Sequence, residues 1–178
     1  MKLKNKFKAF SIIILTSVLY RCGVYSFSGA SISPDIETFS VDFFYNEAGD
    51  GPPNLSQLFT EGLKEYFQNN TNLGIDNSGN GDLQFSGNIA SYRYAPMAPT
   101  VARDQNQPDN AGLQRLTISV KVEYVNTQDD TFNFDQQFSY YADYDPRTTS
   151  ISAIEPALIE EIFDQLYVDI FNASVANW

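Results

Sequence analysis

Apolar and polar residues alternate in four segments of the chain, which is the pattern of β-strands with one buried face. The apolar positions of the first two segments are Phe39, Val41, Phe43, Tyr45 and then Leu83, Phe85, Ile89, with a continuation towards Tyr92 and Tyr94. Those of the last two are Leu116, Ile118, Val120, Val122, Tyr124 and then Phe132, Phe134, Phe138, Tyr140. Gly87 interrupts the second segment and predicts a bulge or a close contact with a helix.

Two other segments have helical spacing. Their apolar stripes are Leu55, Leu58, Phe59, Leu63, Phe67 and Ile154, Leu158, Ile162, Phe163, Leu166, Ile170, Phe171. Asn54 with Gln57, and Ser152 with Glu155, have the spacing of capping boxes, which predicts that the helices begin there. Pro156 then falls in the first turn of the second helix, where a missing N–H costs little.

The predicted element order is β-α-β-β-β-α. Two amphipathic helices and four half-buried strands predict an α+β fold, with a four-stranded sheet and both helices packed on one face. Between the second and third strands, residues 95–112 are polar and contain three prolines, so they form a long loop. Loops of this length in a compact domain are usually functional or disordered.

The N-terminus has the pattern of a secretory signal peptide. Four lysines within residues 1–8 precede an apolar run over residues 9–20, too short for the ~20 residues of a membrane-spanning helix. Cys22 follows directly and predicts a bacterial lipoprotein that is acylated on this thiol and cleaved just before it. Leu19 fits the lipobox, whereas Arg21 stands where a small residue is expected. A buried, unmodified cysteine is the alternative. The predicted divisions are a signal peptide over 1–21, a lipidated tether over 22–35 and one domain over 36–178.

Charge and amino-acid composition exclude several classes of function. The 178 residues carry 11 bases and 22 acids; without residues 1–21, six bases remain against all 22 acids, a formal charge of −16. Nucleic-acid binding needs a basic surface, which such a chain lacks. There is no histidine, and the single cysteine has no histidine to activate it. We therefore expect no enzyme, metal or cofactor. Asp143 and Asp145 could form a carboxylate pair, but a solvated turn explains them better.

Aromatic and basic residues are the remaining candidates for a binding surface. Tyr92, Tyr94, Tyr141 and Tyr144 lie near strand ends, and Phe44 and Tyr45 could share an edge with them. Such a rim is typical of interfaces, but the same residues could equally cover the core. Strand parity places Arg115 and Lys121 on one outward face, with Arg93 on a neighbouring strand. These three bases could contact lipid phosphates or form salt bridges with local acids.

Several segments resemble one known family, the LptE-like lipopolysaccharide-assembly lipoproteins. They are CGVYSFSGASI after the signal, NLSQLFTEGLKEYF on the first helix, GDLQFSG and RLTISVKVEY on strands, and EEIFDQLYVDIFNASVANW at the end. The similarity spans residues 22–178 in the same element order and is greatest to the divergent branch that begins Cys-Gly-Val-Tyr. No family motif carries lipid contacts onto Arg93, Arg115 or Lys121, so their assignment as lipid contacts rests on strand geometry alone.

The resemblance implies a non-enzymatic lipoprotein on the periplasmic face of the outer membrane. Family members plug the large LptD β-barrel and help to deliver lipopolysaccharide to the outer leaflet. The implied partners are therefore an LptD-type barrel in a 1:1 complex, lipopolysaccharide, and the membrane through the N-terminal lipid. Arg21 and the strong negative charge depart from what this role suggests. The alternative is a free periplasmic lipoprotein that binds a small ligand or a peptide.

Overall fold

The computed structural model describes residues 32–97 and 112–175. The predicted signal peptide, Cys22, most of the predicted tether and most of the predicted loop over 95–112 therefore lie outside the described residues. Two helices, α1 (Leu55–Asn70) and α2 (Ile151–Ser174), accompany six strands. The strands are β1 (Thr38–Val41), β2 (Tyr45–Asn46), β3 (Gly74–Ile75), β4 (Leu83–Pro96), β5 (Gln114–Asn126) and β6 (Phe134–Tyr144).

The six strands form one mixed sheet in the order β3-β1-β4-β5-β6, with β2 also beside β4. β1 runs parallel to β4, as expected for strands joined through a helix, whereas β4, β5 and β6 are antiparallel. The α+β class is confirmed, but the predicted count of four strands is wrong. β2 and β3 have two residues each, too few for a periodic pattern, and exist only through pairing with β4 and β1.

Half-way along the first predicted strand, the alternation of buried and exposed side chains shifts by one residue. Val41 pairs with Phe85 and Tyr45 with Asn88, so three residues of this strand lie opposite two of β4, which is a bulge. The N–H of Phe44 donates to Oγ1 of Thr60 in α1, 3.0 Å away. Phe44 is consequently buried, whereas Phe43 is 46% exposed and Tyr45 67% exposed. The prediction that Phe43 and Tyr45 face the core is wrong for this reason.

Gly87 lies opposite this bulge, where the backbones are closest. Its φ is +155°, and a Cβ there would stand 2.0 Å from the carbonyl oxygen of Lys121 and 2.8 Å from the Phe44 ring. The predicted close approach is therefore to a neighbouring strand and to Phe44. Only glycine fits this position without a shift of the sheet.

Both helices pack on the same face of the sheet, as predicted. The Phe59 ring of α1 lies 5.1 Å from Phe44 on one side and 5.1 Å from Phe163 of α2 on the other. All five predicted core positions of β5 are buried. The alternation predicts Phe132 to be the first buried residue of the fourth strand. It lies instead in a 3₁₀ turn before β6 and is 47% exposed.

The predicted helix caps are not formed. Neither the Asn54 nor the Ser150 side chain caps its helix, and Ser152 lies inside α2. Glu155 instead accepts hydrogen bonds from two tyrosines of β4. Pro156 lies beyond the first turn, where it removes the N–H that would bond to the carbonyl of Ser152.

Candidate interface on the open face of the sheet

The helices cover one face of the sheet, and no described element packs over the other. On this open face, the odd-numbered residues of β5 pair laterally with odd-numbered residues of β6 and with the outward residues of β4. The outward positions of these three strands carry three bases, Arg93, Arg115 and Lys121, and three acids, Glu123, Asp135 and Asp143. These outward positions are polar and electrically balanced, although the chain as a whole is strongly acidic.

Arg115 is held by two contacts at one end of this face. Its Nε and Nη2 donate to the two carboxylate oxygens of Asp143 at 2.7 and 2.9 Å, the paired geometry in which guanidinium binds carboxylate best. Its Cζ also lies 3.5 Å from the centroid of the Tyr141 ring. The hydrogen bonds to Asp143 raise the pKa of Arg115 above its ordinary value. The result is a rigid cation with a carboxylate and an aromatic ring beside it.

Lys121 forms a looser pair further along β5. Its Nζ lies 2.9 Å from Oδ2 of Asp135, and both side chains are slightly more than half exposed. The hydrogen bond with Asp135 raises the pKa of Lys121. Exposed pairs of this kind contribute little to stability, so Lys121 can exchange its partner for another anion.

Arg93 lies beside Thr117 on β5, which in turn pairs with Tyr141. It is exposed and forms no ion pair with another described residue. Arg115 and Lys121 lie on the same outward face of β5, as strand parity predicts, and Arg93 lies on the outward face of the neighbouring strand β4. The three bases do not form one cluster, because Arg115 and Lys121 are six residues apart and are therefore separated by roughly 20 Å along the strand. Arg115 and Lys121 each form a salt bridge with a nearby acid, as the salt-bridge alternative predicts. Contact of these bases with lipid phosphates stays a prediction.

The aromatic candidates divide between the core and the surface. Phe44, Tyr92 and Tyr144 are buried, so the core alternative is correct for them. Tyr45 and Tyr141 are exposed on the open face. Sequence reasoning missed Phe43, whose ring meets Tyr45 edge-on at 5.0 Å, because its alternating position predicted burial.

Tyr92 and Tyr94 are tied to α2 through one carboxylate. Their hydroxyls donate to Oε1 of Glu155 at 2.7 and 3.0 Å. Burial raises the pKa of both phenols, that of Tyr94 to about 12. These residues fasten the N-terminal part of α2 to β4 and are structural.

Asp143 and Asp145, the candidate carboxylate pair, and Asp82, directly before β4, all have local partners. Asp143 binds Arg115, while Asp145 accepts from Arg147 at 2.8 Å in the turn before α2. Asp82 accepts from the backbone N–H groups of Glu37 and Thr38. Among the described residues, no three potential ligands come together to hold a metal ion.

The family is decided by comparison with known sequences. Residues 36–174 match the model of a family described as LptE, lipopolysaccharide-assembly. The chain belongs to the LptE family. Members of this family are non-enzymatic lipoproteins that act in lipopolysaccharide assembly. No curated protein sequence matches this LptE-family chain significantly.

Solved structures resemble this LptE-family chain at low sequence identity. A hypothetical protein from Chlamydia trachomatis has a TM-score of 0.52 at 9% identity, over 80% of this chain and 99% of that one. A minor lipoprotein from Acinetobacter baumannii has a TM-score of 0.44 at 13% identity, over 76% and 90%. An uncharacterised lipoprotein B from Nitrosomonas europaea has a TM-score of 0.47 at 11% identity, over 76% and 79%. The first of these supports the fold.

The helices of this LptE-family domain are not membrane spans. None of the helices in the described parts of the chain is both long and apolar enough to cross a bilayer.

Proposed function

We propose that this LptE-family protein is a non-enzymatic lipoprotein of the outer membrane that plugs an LptD-type β-barrel from the periplasmic side. In a 1:1 complex it would support the barrel while lipopolysaccharide passes to the outer leaflet. The match of residues 36–174 to the lipopolysaccharide-assembly family carries this proposal. The protein has no catalytic part in it and needs no cofactor.

The open face of the sheet supports the role of a plug. The lumen of a large outer-membrane barrel is polar, so a plug needs a polar surface without a large net charge. The outward positions of β4, β5 and β6 meet this requirement with equal numbers of bases and acids. We therefore infer that this face contacts the barrel wall, and that Tyr45 and Tyr141 supply its aromatic contacts.

Co-purification tests the proposal. The tagged full-length protein is extracted from its native membrane in a mild non-ionic detergent, and the mass of the eluting complex is measured by light scattering. We expect a stable 1:1 complex with a large barrel protein. A chain that elutes alone would refute the plug function and favour the free binding module.

Charge reversal tests the part played by the bases. We expect Arg115→Glu with Lys121→Glu to make cells permeable to large hydrophobic compounds if these bases contact lipid phosphates. The complex with the barrel should still form, because the two exposed tyrosines and the other outward residues keep their contacts with the wall. Arg147→Glu with Lys64→Glu is the matched control, because it also reverses two ion-paired cations, and these lie outside the open face in the turn before α2 and on α1. Equal effects of the two changes would remove Arg115 and Lys121 from the proposed path of the lipid.

The lipid anchor is proposed at Cys22. We expect Cys22→Ala to convert a membrane-bound mature protein into a soluble or uncleaved one. Arg21→Gly should speed processing, since it restores a small residue before the cleavage site. Mass spectrometry of the wild-type protein decides the question, and an unmodified Cys22 would exclude lipid attachment there.

A further inference from the structure

A groove of about 430 Å³ lies between α1 and α2, on the side of the molecule away from the open face of the sheet. Apolar side chains form most of its lining, among them Leu58 of α1 with Ile159 and Phe163 of α2. Leu58 belongs to the predicted apolar stripe of α1, yet it is 46% exposed. Together with Ile159 and Phe163, Leu58 forms a contiguous apolar lining that is open to solvent, and such grooves are typical of docking surfaces.

The helices are in close contact at one end of this groove. Gly62 leaves room for the Tyr167 hydroxyl, which would be 2.2 Å from a Cβ at that position. The same hydroxyl lies 3.3 Å from the carbonyl oxygens of Leu58 and Phe59 and donates to them. The floor of the groove is therefore rigid, while Leu58 stands one turn away with its side chain half open to solvent.

Carboxylates surround the groove. Glu160 and Asp164 line it from α2, and Glu155 closes the end near β4. α2 carries five acids and no base, and α1 carries two acids and one base, so the two helices together have a formal charge of −6. This contrasts with the outward positions of β4, β5 and β6, where bases and acids are equal in number. The helices that form the apolar groove thus carry a net negative charge.

We propose that this groove binds a basic amphipathic helix of a partner protein, with apolar side chains against Leu58 and lysine or arginine side chains beside Glu160 and Asp164. Asn54, directly before α1, and Gly62 are eight residues apart, so the groove extends about 12 Å along the helix axis, which matches two or three apolar anchors at i, i+3 or i+4, and i+7. Anionic lipid is disfavoured, because its phosphates would meet the same carboxylates. The site is distinct from the proposed barrel contact and does not depend on it.

Model peptides provide the test. The full-length protein in a neutral maltoside detergent is titrated into a fluorescently labelled 14-residue helical peptide, with leucine at i, i+3, i+4 and i+7 and lysine elsewhere. One control peptide has glutamate for lysine, and another has serine for leucine. Binding to empty micelles is measured in parallel and subtracted. We expect anisotropy to report saturable binding of the leucine–lysine peptide only; binding of either control equally well, or no binding at all, would overturn the proposal.

Protein variants locate the site. We expect Leu58→Lys to weaken binding at least tenfold, whereas Phe132→Lys has little effect, because Phe132 is an equally exposed apolar residue away from the groove. Circular dichroism verifies that both variants are folded. Retention of full affinity by a folded Leu58→Lys variant would overturn the proposal.

A second pair of variants separates the groove from general acidity. Glu160→Gln with Asp164→Asn should weaken binding about fivefold, the effect of losing two exposed ion pairs. Glu161→Gln with Asp169→Asn removes the same charge from the same helix outside the groove and should change affinity much less. Equal losses would mean that the peptide responds only to net charge, which would refute a specific site. Co-purification with the barrel is measured on the same variants, so failure here is distinguishable from failure of the plug function.

Discussion

Gly87→Ala is the substitution for which the structure makes the strongest claim. The new Cβ would stand 2.0 Å from the carbonyl oxygen of Lys121 and 2.8 Å from the Phe44 ring, and the backbone φ of +155° is one that L side chains rarely adopt. The obstacle at 2.0 Å is backbone, so β4 and β5 would have to move apart at the centre of the sheet. Phe44 is fully buried and held by Thr60, so it has little room to yield.

Substitutions at two other glycines separate the backbone strain from the steric overlap in the predicted loss of stability. Gly49 has a φ of +79° and nothing within 4 Å of its Cβ position, so Gly49→Ala should cost only the backbone strain, about 1–2 kcal/mol. Gly74 has no close contact, and Gly74→Ala should be neutral or stabilising by up to ~1 kcal/mol. Gly87→Ala adds overpacking of about 1–3 kcal/mol to the strain, which predicts a total loss of about 3 kcal/mol or more.

Urea unfolding followed by circular dichroism measures this series. With a slope near ~2 kcal/mol per M, a loss of about 3 kcal/mol lowers the midpoint by about 1.5 M. A Gly87→Ala protein that does not fold at all agrees with a larger loss, and proteolysis then confirms it. A folded Gly87→Ala variant within about 1 kcal/mol of the wild type would show that β4 and β5 are not packed as described, and the argument from the Lys121 carbonyl would fail.

Two further predictions concern packing and pH. Phe163→Ala and Leu166→Ala should each lower the free energy of unfolding by roughly 2–5 kcal/mol, since both are buried beneath α2, and a loss below about 0.5 kcal/mol in urea unfolding would place the residue at the surface. Asp82→Asn should cost about 1 kcal/mol at pH 7, because the solvent-accessible carboxylate accepts bonds from the backbone N–H groups of Glu37 and Thr38. Those bonds lower the pKa of Asp82, so its contribution is present above the ordinary carboxyl pKa of 3.8 and disappears as pH falls through the lower folded value. A difference between variant and wild type that persisted unchanged at about pH 2 would contradict this sign.

The long strands and helices of the fold could be predicted from the amino-acid sequence. β5 shows why, because all its predicted inward residues, from Leu116 to Tyr124, are buried. Alternation is a local property: a strand with one covered face selects apolar residues at every second position, whatever covers it. The same reasoning explains why both helices, their shared side of the sheet and the outward direction of Arg115 and Lys121 were predictable.

The contacts between side chains that are distant in the chain could not be predicted from this alternation. The pattern marked Leu58 as core and Phe44 as a surface position, and the structure reverses both assignments. Each reversal depends on residues distant in the chain, since Thr60 fixes Phe44 and the spacing of α1 from α2 leaves Leu58 uncovered. Glu155 likewise had the spacing of a capping residue but binds two tyrosines of β4.

For this protein, the sequence by itself determined the order of the long strands and helices, the half-buried strands and the family. Only the tertiary structure decided the two short strands, the ion pairs of the open face and the acidic groove between the helices. The physical reason is that periodicity records whether a side chain avoids water, whereas a groove or an ion pair depends on which distant side chains meet. The pairing of Arg115 with Asp143 and the fit of Tyr167 over Gly62 are contacts of that kind.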